Sequence, residues 1–207
     1  QLSKDNHIEL INFCKNNSVE FLTSVFNYND VIFLKEIGLK KIKIPSHEIN
    51  NVKLINLCID NFDEIIVSTG ASKWQEVTKI SNTLSNSKVS LLHCVSSYPC
   101  DPAKVNLPRI NSLREINQSV GYSGHLIGID DAVASMFFNL KYVEKHFTID
   151  NDLPGRDNKF AILPEDLHRL SKFRDDYFLM MINKGNDLQS CEEDTYNNYR
   201  GRWSKSE

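Results

Sequence analysis

The sequence lacks long hydrophobic runs and any excess of charge of one sign. None of its apolar runs approaches the roughly 18 residues that a membrane-spanning helix needs. With 24 Lys and Arg against 27 Asp and Glu, the formal charge is −3, which gives no drive toward nucleic acid or an anionic membrane. We therefore expect a globular protein that binds neither nucleic acid nor membranes.

The cysteines are too scattered to form a disulfide framework. There are five, at Cys14, Cys58, Cys94, Cys100 and Cys191, and no Cys-x-x-Cys motif occurs. Because structural disulfides are rare in reducing compartments, this usage is typical of a cytoplasmic protein with free thiols. We therefore predict a cytoplasmic location.

No glycine-rich phosphate fingerprint opens a predicted helix, which disfavours a dinucleotide-binding sheet. Short apolar runs instead alternate with amphipathic stretches, and this alternation predicts a parallel sheet with helical crossovers. The predicted strands are Val19–Phe26, Lys41–Ser46, Glu64–Ser68, Val89–Val95, Val120–His125 and Lys141–Thr148. The predicted helices are Ile8–Lys15, Asn29–Ile37, Val52–Asp60, Lys73–Leu84, Leu107–Ile116, Asp130–Phe138 and Pro164–Asn183. Periodicity is lost after Gly185, so we predict one domain over 1–185 and a tail over 186–207 that is partly disordered.

The parity of polar residues along the strands favours a TIM-type (β/α) barrel over an open sheet. Alternate residues of a strand share a face, so Lys43 lies opposite Ile42 and Ile44. By the same rule, Glu144 and His146 share one face of their strand. Such polar faces converge inside a barrel near the C-terminal strand ends, where barrel enzymes have their active sites. The barrel is predicted to be incomplete, with about six strands, because a full one takes about 250 residues.

Two histidines, His125 and His146, end consecutive predicted strands. Because neighbouring strands lie about 4.8 Å apart, the two imidazoles could hold one divalent metal ion; the alternative is a pair of hydrogen-bonded structural histidines. Lys43 inside a barrel would bind a phosphate or carboxylate, whereas on an edge strand it would simply face solvent. Glu144 could orient a ligand or form a buried ion pair with Lys43.

Hydroxyl groups lie at or just beyond the ends of most predicted strands. They belong to Ser24, Ser46, Ser68, Ser96 and Ser123. A ring of hydroxyls suits an oxygen-rich ligand, although each serine alone is typical of a turn or a cap. Asp157, in the loop after the last predicted strand, could bind sugar hydroxyls or belong to a turn. By strand alternation, His93 is predicted to face the helices and Cys94 to face the interior of the barrel.

Five motifs occur in a characteristic order. They are Lys43-Ile-Pro-Ser-His-Glu48, Ser68-Thr-Gly70, Leu92-His-Cys-Val-Ser-Ser-Tyr-Pro99, Val120-Gly-Tyr-Ser-Gly-His125 and Glu144-Lys-His-Phe-Thr148. In these motifs the chain resembles the sialic acid synthase family, which includes N-acetylneuraminate synthase and the related legionaminate and pseudaminate synthases. The resemblance extends from Phe21 to about Phe173.

The resemblance implies a transferase that condenses phosphoenolpyruvate with an N-acylated hexosamine, giving a nine-carbon 2-keto sugar acid and phosphate. It implies that His125 and His146 bind a divalent cation, Mn²⁺ first with Mg²⁺ or Co²⁺ as alternatives. The implied catalytic residues are Lys43, Glu144, His125 and His146. The implied phosphoenolpyruvate-binding residues are Ser24, Lys43, Ser46, Ser68, Ser96, Ser123 and Glu144, and the sugar-binding residues are Phe26, Glu48, Tyr98 and Asp157. Full-length members are expected to be homodimers.

Length is the main departure from the family. The motifs correspond to the third to eighth strands of the family barrel. The first two strands, which bear a glutamate and a lysine of the family active site, and a C-terminal antifreeze-like domain are not represented. We therefore expect a fragment of a longer enzyme, with little or no turnover by itself. The alternative is a non-catalytic subunit that completes its barrel with a partner chain, or a relic.

Overall fold

The computed structural model describes residues 2–203 and contains a five-stranded parallel sheet with helices between its strands, an α/β fold. The strands are β1 (Lys41–Ile44), β2 (Glu64–Ser68), β3 (Val89–Cys94), β4 (Val120–Gly124) and β5 (Tyr142–Lys145). The α-helices are α1 (Lys4–Asn16), α2 (Tyr28–Glu36), α3 (Val52–Asn61), α4 (Trp74–Lys79), α5 (Ser81–Leu84), α6 (Arg109–Ile116), α7 (Asp130–Met136), α8 (Pro164–Met180) and α9 (Glu193–Asn198). Short 3₁₀ turns lie at Ser46–Glu48, Pro102–Lys104, Asn158–Phe160 and Ser190–Glu192.

The chain divides into two compact units, the first ending at Ser171 and the second beginning at Lys172. The sheet belongs to the first unit, and the second contains the end of α8, one 3₁₀ turn and α9. The predicted division at residue 185 stays a prediction. Within residues 2–203, none of the helices combines the length and the apolar character that crossing a bilayer requires.

The strands lie side by side in chain order from β1 to β5. A doubly wound sheet reverses its strand order at a switch point, whereas a barrel adds each strand beside the previous one. Every neighbouring pair is parallel, as both architectures require. The order therefore identifies part of a (β/α) barrel, which confirms the predicted fold class.

The sheet is strongly curled, so that its first and last strands face each other. Lys43 on β1 and Glu144 on β5 form a salt bridge of 2.5 Å. In a flat sheet, four steps of about 4.8 Å would keep these strands about 19 Å apart. A second contact, from the Tyr142 hydroxyl on β5 to Glu64 Oε1 on β2, measures 2.6 Å. The five strands therefore form a half-barrel whose interior face carries these four side chains.

The outward faces of the strands are covered by helices. Ile42 and Ile44 of β1 are fully buried in a core that also contains Leu54 and Ile55 of α3. Lys43, which lies between the two isoleucines, points to the other face and pairs across the interior. The predicted parity of β1 is therefore confirmed.

One predicted strand is much shorter than expected. The sequence predicts a strand over Val19–Phe26, but only Ser24 pairs there, in an isolated parallel bridge with Lys43. The backbone N–H of Val19 donates to Cys14 at the end of α1, and Asn27 caps α2. The pairing is therefore confined between two helix ends, and the predicted six strands become five with an additional bridge.

Several other boundaries also differ from the prediction; for example, α1 begins at Lys4 rather than Ile8, and α8 ends at Met180 rather than Asn183. The predicted helix Lys73–Leu84 is divided at Ile80 into α4 and α5. The last strand ends at Lys145, and pairing resumes only at Phe147, which bridges to Ile162. This second bridge brings the segment after residue 157 back to the half-barrel.

The N-terminal end of the half-barrel is closed by a charged cluster, here called the basal cluster. Lys41 pairs with Glu20 at 2.8 Å and with Glu64 at 3.1 Å. Glu64 also accepts hydrogen bonds from Lys141 and from the Tyr142 hydroxyl. Burial alone would raise the pKa of Glu64, but hydrogen bonds from Lys141, Tyr142 and Lys41 lower it to about 2. Because this end of a barrel usually contributes to stability, we interpret the cluster as structural.

Candidate active site

The candidate site lies inside the half-barrel at the C-terminal ends of the strands. In-register neighbours of a parallel sheet point to the same face. Ser24 pairs with Lys43 at one edge of the sheet, and Ser123 pairs with Glu144 at the other. Since Lys43 contacts Glu144 across the interior, all four residues point into it.

Glu144 is the centre of a charged group at this end. Its two carboxylate oxygens accept hydrogen bonds from Lys43 Nζ at 2.5 and 2.7 Å, and Ser123 Oγ donates to Oε1 at 2.7 Å. Burial alone would raise the pKa of Glu144, but the charge and hydrogen bonds of Lys43 and the hydrogen bond from Ser123 hold it below its ordinary value. An ammonium carries three N–H donors, so Lys43 can still donate to a ligand while it pairs with Glu144.

His125 and His146 lie side by side, with ring centroids 5.2 Å apart. The Nδ1 atom of His125 is 2.8 Å from the Val95 carbonyl oxygen, which can only accept, so Nδ1 carries the proton and Nε2 keeps its lone pair. Burial lowers the pKa of both imidazoles, which favours their neutral forms. A neutral imidazole whose second nitrogen is hydrogen-bonded to a carbonyl is the usual form of a histidine metal ligand.

The two imidazoles fit a divalent cation that keeps several coordination positions for other ligands. Within residues 2–203, no group of three or more His, Cys, Asp or Glu side chains is arranged to hold a metal ion. Asp157 Oδ2 lies 3.6 Å from His146 Nδ1, beyond hydrogen-bond distance but close enough to favour one ring orientation. Water and ligand oxygens would have to supply the remaining positions.

Three polar side chains surround Gly70 in the turn after β2. The N–H of Gly70 donates to Ser46 Oγ at 3.1 Å. A Cβ atom at this position would collide with Ser96 Oγ and would lie 2.8 Å from Ser46 Oγ and 3.0 Å from Cys94 Sγ. The absence of a Cβ at Gly70 therefore lets these hydroxyls and the thiol lie directly against the backbone.

Ser68 has the clearest need for a partner among the predicted serines. Its hydroxyl is buried at the end of β2 and has no hydrogen-bond partner among the described residues. A buried hydroxyl left without a partner costs about 1–3 kcal/mol, which a ligand oxygen would offset.

Phe160 belongs to the site and was not predicted from the sequence. Its buried ring lies 5.0 Å from the ring of His146 and 5.7 Å from that of Tyr98. The ring of Tyr98 in turn lies 4.2 Å from that of His125. The bridge of Ile162 to Phe147 brings this segment to the site. The sequence signal that could have indicated it is the apolar run that begins at Phe160 after a polar loop.

Two predicted sugar-binding residues make their described contacts elsewhere. The ring of Phe26 stacks on that of His47 at 5.6 Å, and Glu48 accepts a hydrogen bond of 3.0 Å from Asn51. Asp157 lies beside His146 alone, and its carboxylate side chain is 61% exposed. The ligand-binding roles of all these residues stay predictions.

Comparison with protein families matches residues 1–184 to the NeuB family. The chain belongs to the NeuB family. The predicted resemblance to sialic acid, legionaminate and pseudaminate synthases is therefore confirmed. Among curated relatives, the N-acetylneuraminate-9-phosphate synthase of Drosophila melanogaster is 34% identical over 176 residues, which are 83% of this chain and 47% of that protein. The N,N'-diacetyllegionaminic acid synthase of Campylobacter jejuni is 35% identical over 170 residues, 79% of this chain and 51% of that protein.

This NeuB-family chain spans about half the length of these curated relatives. One similar solved structure is that of the sialic acid synthetase of Leptospira borgpetersenii in complex with citrate. It superposes with a TM-score of 0.84 at 27% identity, and the match covers 98% of this chain and 73% of the synthetase chain. A DAHP synthase of Thermotoga maritima shares the fold alone. It is 11% identical, with a TM-score of 0.70, and the match covers 86% of this chain and 56% of the DAHP synthase chain.

Proposed function

We propose that the chain contributes the phosphoenolpyruvate- and metal-binding part of a synthase site that acts on an N-acylated hexosamine. In this reaction the methylene carbon of phosphoenolpyruvate forms a bond to the sugar aldehyde carbon, water adds at C2, and phosphate leaves by C–O cleavage. The observation that carries the proposal is the convergence of Lys43, Ser123 and Glu144 with the two histidines in a NeuB-family barrel. The names of the relatives, which are synthases of N-acetylneuraminate-9-phosphate, legionaminic and pseudaminic acids, support the reaction class.

Phosphoenolpyruvate has two anionic groups, and the interior offers complementary donors. Lys43 supplies a cation that is held in place by Glu144. Ser46 accepts from Gly70 and donates only a weak hydrogen bond of 3.7 Å to Cys94 Sγ, which a ligand oxygen could replace. Ser68 has a buried hydroxyl with no partner among residues 2–203. Hydrogen-bond donors that are already in position before the ligand binds can stabilise developing charge without rearranging. We assign this role to Lys43, Ser46 and Ser68.

The imidazoles of His125 and His146 would hold the divalent cation, Mn²⁺ first with Mg²⁺ or Co²⁺ as alternatives. When bound, the cation supplies Lewis-acid polarisation of the sugar aldehyde oxygen. His125 is pre-oriented for this by its hydrogen bond to Val95. Burial lowers the pKa of both rings and so favours the neutral form, in which one nitrogen of each ring keeps a lone pair.

The sugar would lie beside the rings of Tyr98 and Phe160. Asp157, which is exposed next to His146, would accept hydrogen bonds from sugar hydroxyls. The five cysteines are free thiols, which suits the reducing cytoplasm where we place the protein. Assembly into a homodimer stays a prediction.

Calorimetric titration of the chain with Mn²⁺, with and without phosphoenolpyruvate, tests the proposal. We expect saturable Mn²⁺ binding that phosphoenolpyruvate strengthens and that His125→Ala or His146→Ala weakens by about tenfold or more. The matched control is His93→Gln, because His93 is buried on β3 but faces the helices and bonds to the Val105 carbonyl at 2.7 Å. This variant should lose stability and keep Mn²⁺ affinity. A folded wild-type chain that binds neither ligand would contradict the proposal and favour a non-catalytic subunit.

A further inference from the structure

Behind the two histidines, on the outer face of the sheet, lies a buried charged network. Lys145 Nζ is 3.0 and 3.2 Å from the two carboxylate oxygens of Asp131, and the Tyr122 hydroxyl donates to Oδ2 at 2.9 Å. The side chains of Lys145 and Asp131 are only 4% and 1% exposed. We call these three residues, Tyr122, Asp131 and Lys145, the outer clamp.

The outer clamp connects the two loops that carry the histidines. Lys145 Nζ donates to the Leu126 carbonyl at 2.6 Å, and the Leu126 N–H donates to Asp131 Oδ2 at 3.4 Å. Leu126 directly follows His125, and Lys145 directly precedes His146. The clamp therefore binds the residue after one histidine to the residue before the other.

Strand pairing does not extend to the histidines. The ladder between β4 and β5 ends at Gly124 and Lys145, one residue before each histidine. Beyond it, the His125 carbonyl accepts from Cys100 N at 2.9 Å and the His146 carbonyl accepts from Ile162 N at 2.8 Å. Each histidine backbone is thus held by a different segment, and the outer clamp joins the two.

The energetics of a buried ion pair also favour a positioning role. Removing two charges from water costs several kcal/mol per ion, and an apolar replacement of similar volume is often neutral or stabilising. Stability alone is therefore a weak reason for a lysine and a carboxylate in this core. The fit is close as well, since a Cβ at Gly124 would collide with Asp131 Oδ2 and lie 2.7 Å from Tyr122 Cε1.

We propose that Lys145 and Asp131 are positioning residues that set the separation of the His125 and His146 rings and thereby the affinity of the site for a divalent cation. The affinity part of this inference rests on the metal-binding role proposed above for the histidines. The ring separation is a property of the metal-free chain and can be measured independently. Two readouts therefore distinguish a failure of the clamp from a failure of the metal site.

The first readout is the NOE between the ring protons of His125 and His146 in the metal-free chain, and the second is Mn²⁺ affinity by calorimetry. Asp131→Asn keeps the shape of the side chain but removes its charge, and Lys145→Met removes the cation. We expect both variants to lose the inter-ring NOE and to bind Mn²⁺ about 10–100-fold more weakly. Lys145→Arg keeps a cation with donors and should restore both readouts.

The basal cluster supplies the matched control. Lys41 also pairs with a carboxylate and lies near a tyrosine ring, but at the opposite end of the same half-barrel. Lys41→Met should lower the unfolding midpoint while keeping the NOE and the Mn²⁺ affinity.

The proposal would be overturned if the Asp131→Asn or the Lys145→Met variant folded and kept the wild-type NOE. If the stronger variants unfold, Tyr122→Phe removes one hydrogen bond, and an unchanged NOE and affinity in that variant would count against the clamp.

A wild-type chain that shows the NOE but does not bind Mn²⁺ would refute the metal role of the histidines. The NOE alone would then test the positioning role of the outer clamp. Loss of the NOE in Lys145→Met and its retention in Lys41→Met would support that role. Loss of the NOE in both lysine variants would mean that the sheet as a whole holds the rings, and would overturn the assignment to Lys145 and Asp131.

Discussion

Lys43 and Glu144 lie on the first and last strands of the sheet, yet their charged groups are 2.5 Å apart. Their side chains are 17% and 34% exposed, so water only partly screens the pair. The same contact ties the two edges of the half-barrel together and forms the centre of the candidate site. A substitution here should therefore affect both the protonation of Glu144 and ligand binding.

Replacement of Lys43 by methionine should raise the pKa of Glu144. Burial alone favours the neutral acid, and the charge and hydrogen bonds of Lys43 are the main opposing influence. We expect the pKa of Glu144 to move from below its ordinary value of 4.5 to above it. A ¹³C NMR titration of the side-chain carboxyl would measure the change, with Lys43→Arg, which keeps the charge, as the control. An unchanged pKa in Lys43→Met would show that the ion pair does not govern Glu144.

Acid should destabilise the chain through Glu64 in the basal cluster. The pKa of Glu64 is about 2 in the folded protein against an ordinary value of 4.5, so the folded state binds fewer protons than the unfolded state between these values. The stabilisation, roughly 3 kcal/mol at most, is complete above pH 4.5 and is lost as the pH falls toward 2. Urea unfolding at several pH values should show this loss in the wild type and a much flatter dependence in Glu64→Gln. Equal slopes in the two proteins would contradict the assignment.

His93 should give a second pH dependence, in a separate range. Burial lowers the pKa of His93 below 6.5, the Val105 hydrogen bond opposes this, and the charge of Arg109 adds to it. The unfolded chain therefore takes up the proton first, and stability falls as the pH drops below 6.5, by at most about 1.4 kcal/mol per pH unit for one group. His93→Gln should be less stable at pH 8 and should lose part of this slope. The free energy of unfolding between pH 5 and 8 measures both effects.

Strand parity could be predicted from the sequence because it depends only on the two-residue repeat of a strand. That rule placed Lys43, Glu144 and His146 on the interior face, and the Lys43–Glu144 ion pair was one of two interpretations of Glu144. The family motifs added the remaining candidate residues. The direction in which these strand side chains face is therefore the part of the site geometry that local sequence could predict.

Contacts that depend on how a loop or helix returns to the sheet could not be predicted. Asp131 pairs with Lys145 only because α7 turns its first residues toward β5, and Phe160 reaches the histidines through the bridge of Ile162. The excess length predicted for the strand Val19–Phe26 has a similar origin. Its apolar pattern fits a strand, but the ends of α1 and α2 limit its pairing to Ser24.

Replacement of Gly70 by alanine should impair ligand binding more than stability. The backbone of Gly70 needs no left-handed conformation, so the substitution adds little strain, but its Cβ would displace the hydroxyls of Ser46 and Ser96. If these hydroxyls bind phosphoenolpyruvate, the affinity for phosphoenolpyruvate should fall by about tenfold, equivalent to about 1.4 kcal/mol.

Gly38→Ala is the converse control, because Gly38 has φ +82° and nothing within 4 Å of its Cβ position. That variant should lose about 1–2 kcal/mol of stability and keep its affinity. Calorimetry with phosphoenolpyruvate and urea unfolding of both variants would separate the two effects, and a Gly70→Ala chain with wild-type affinity would exclude these hydroxyls from the binding site.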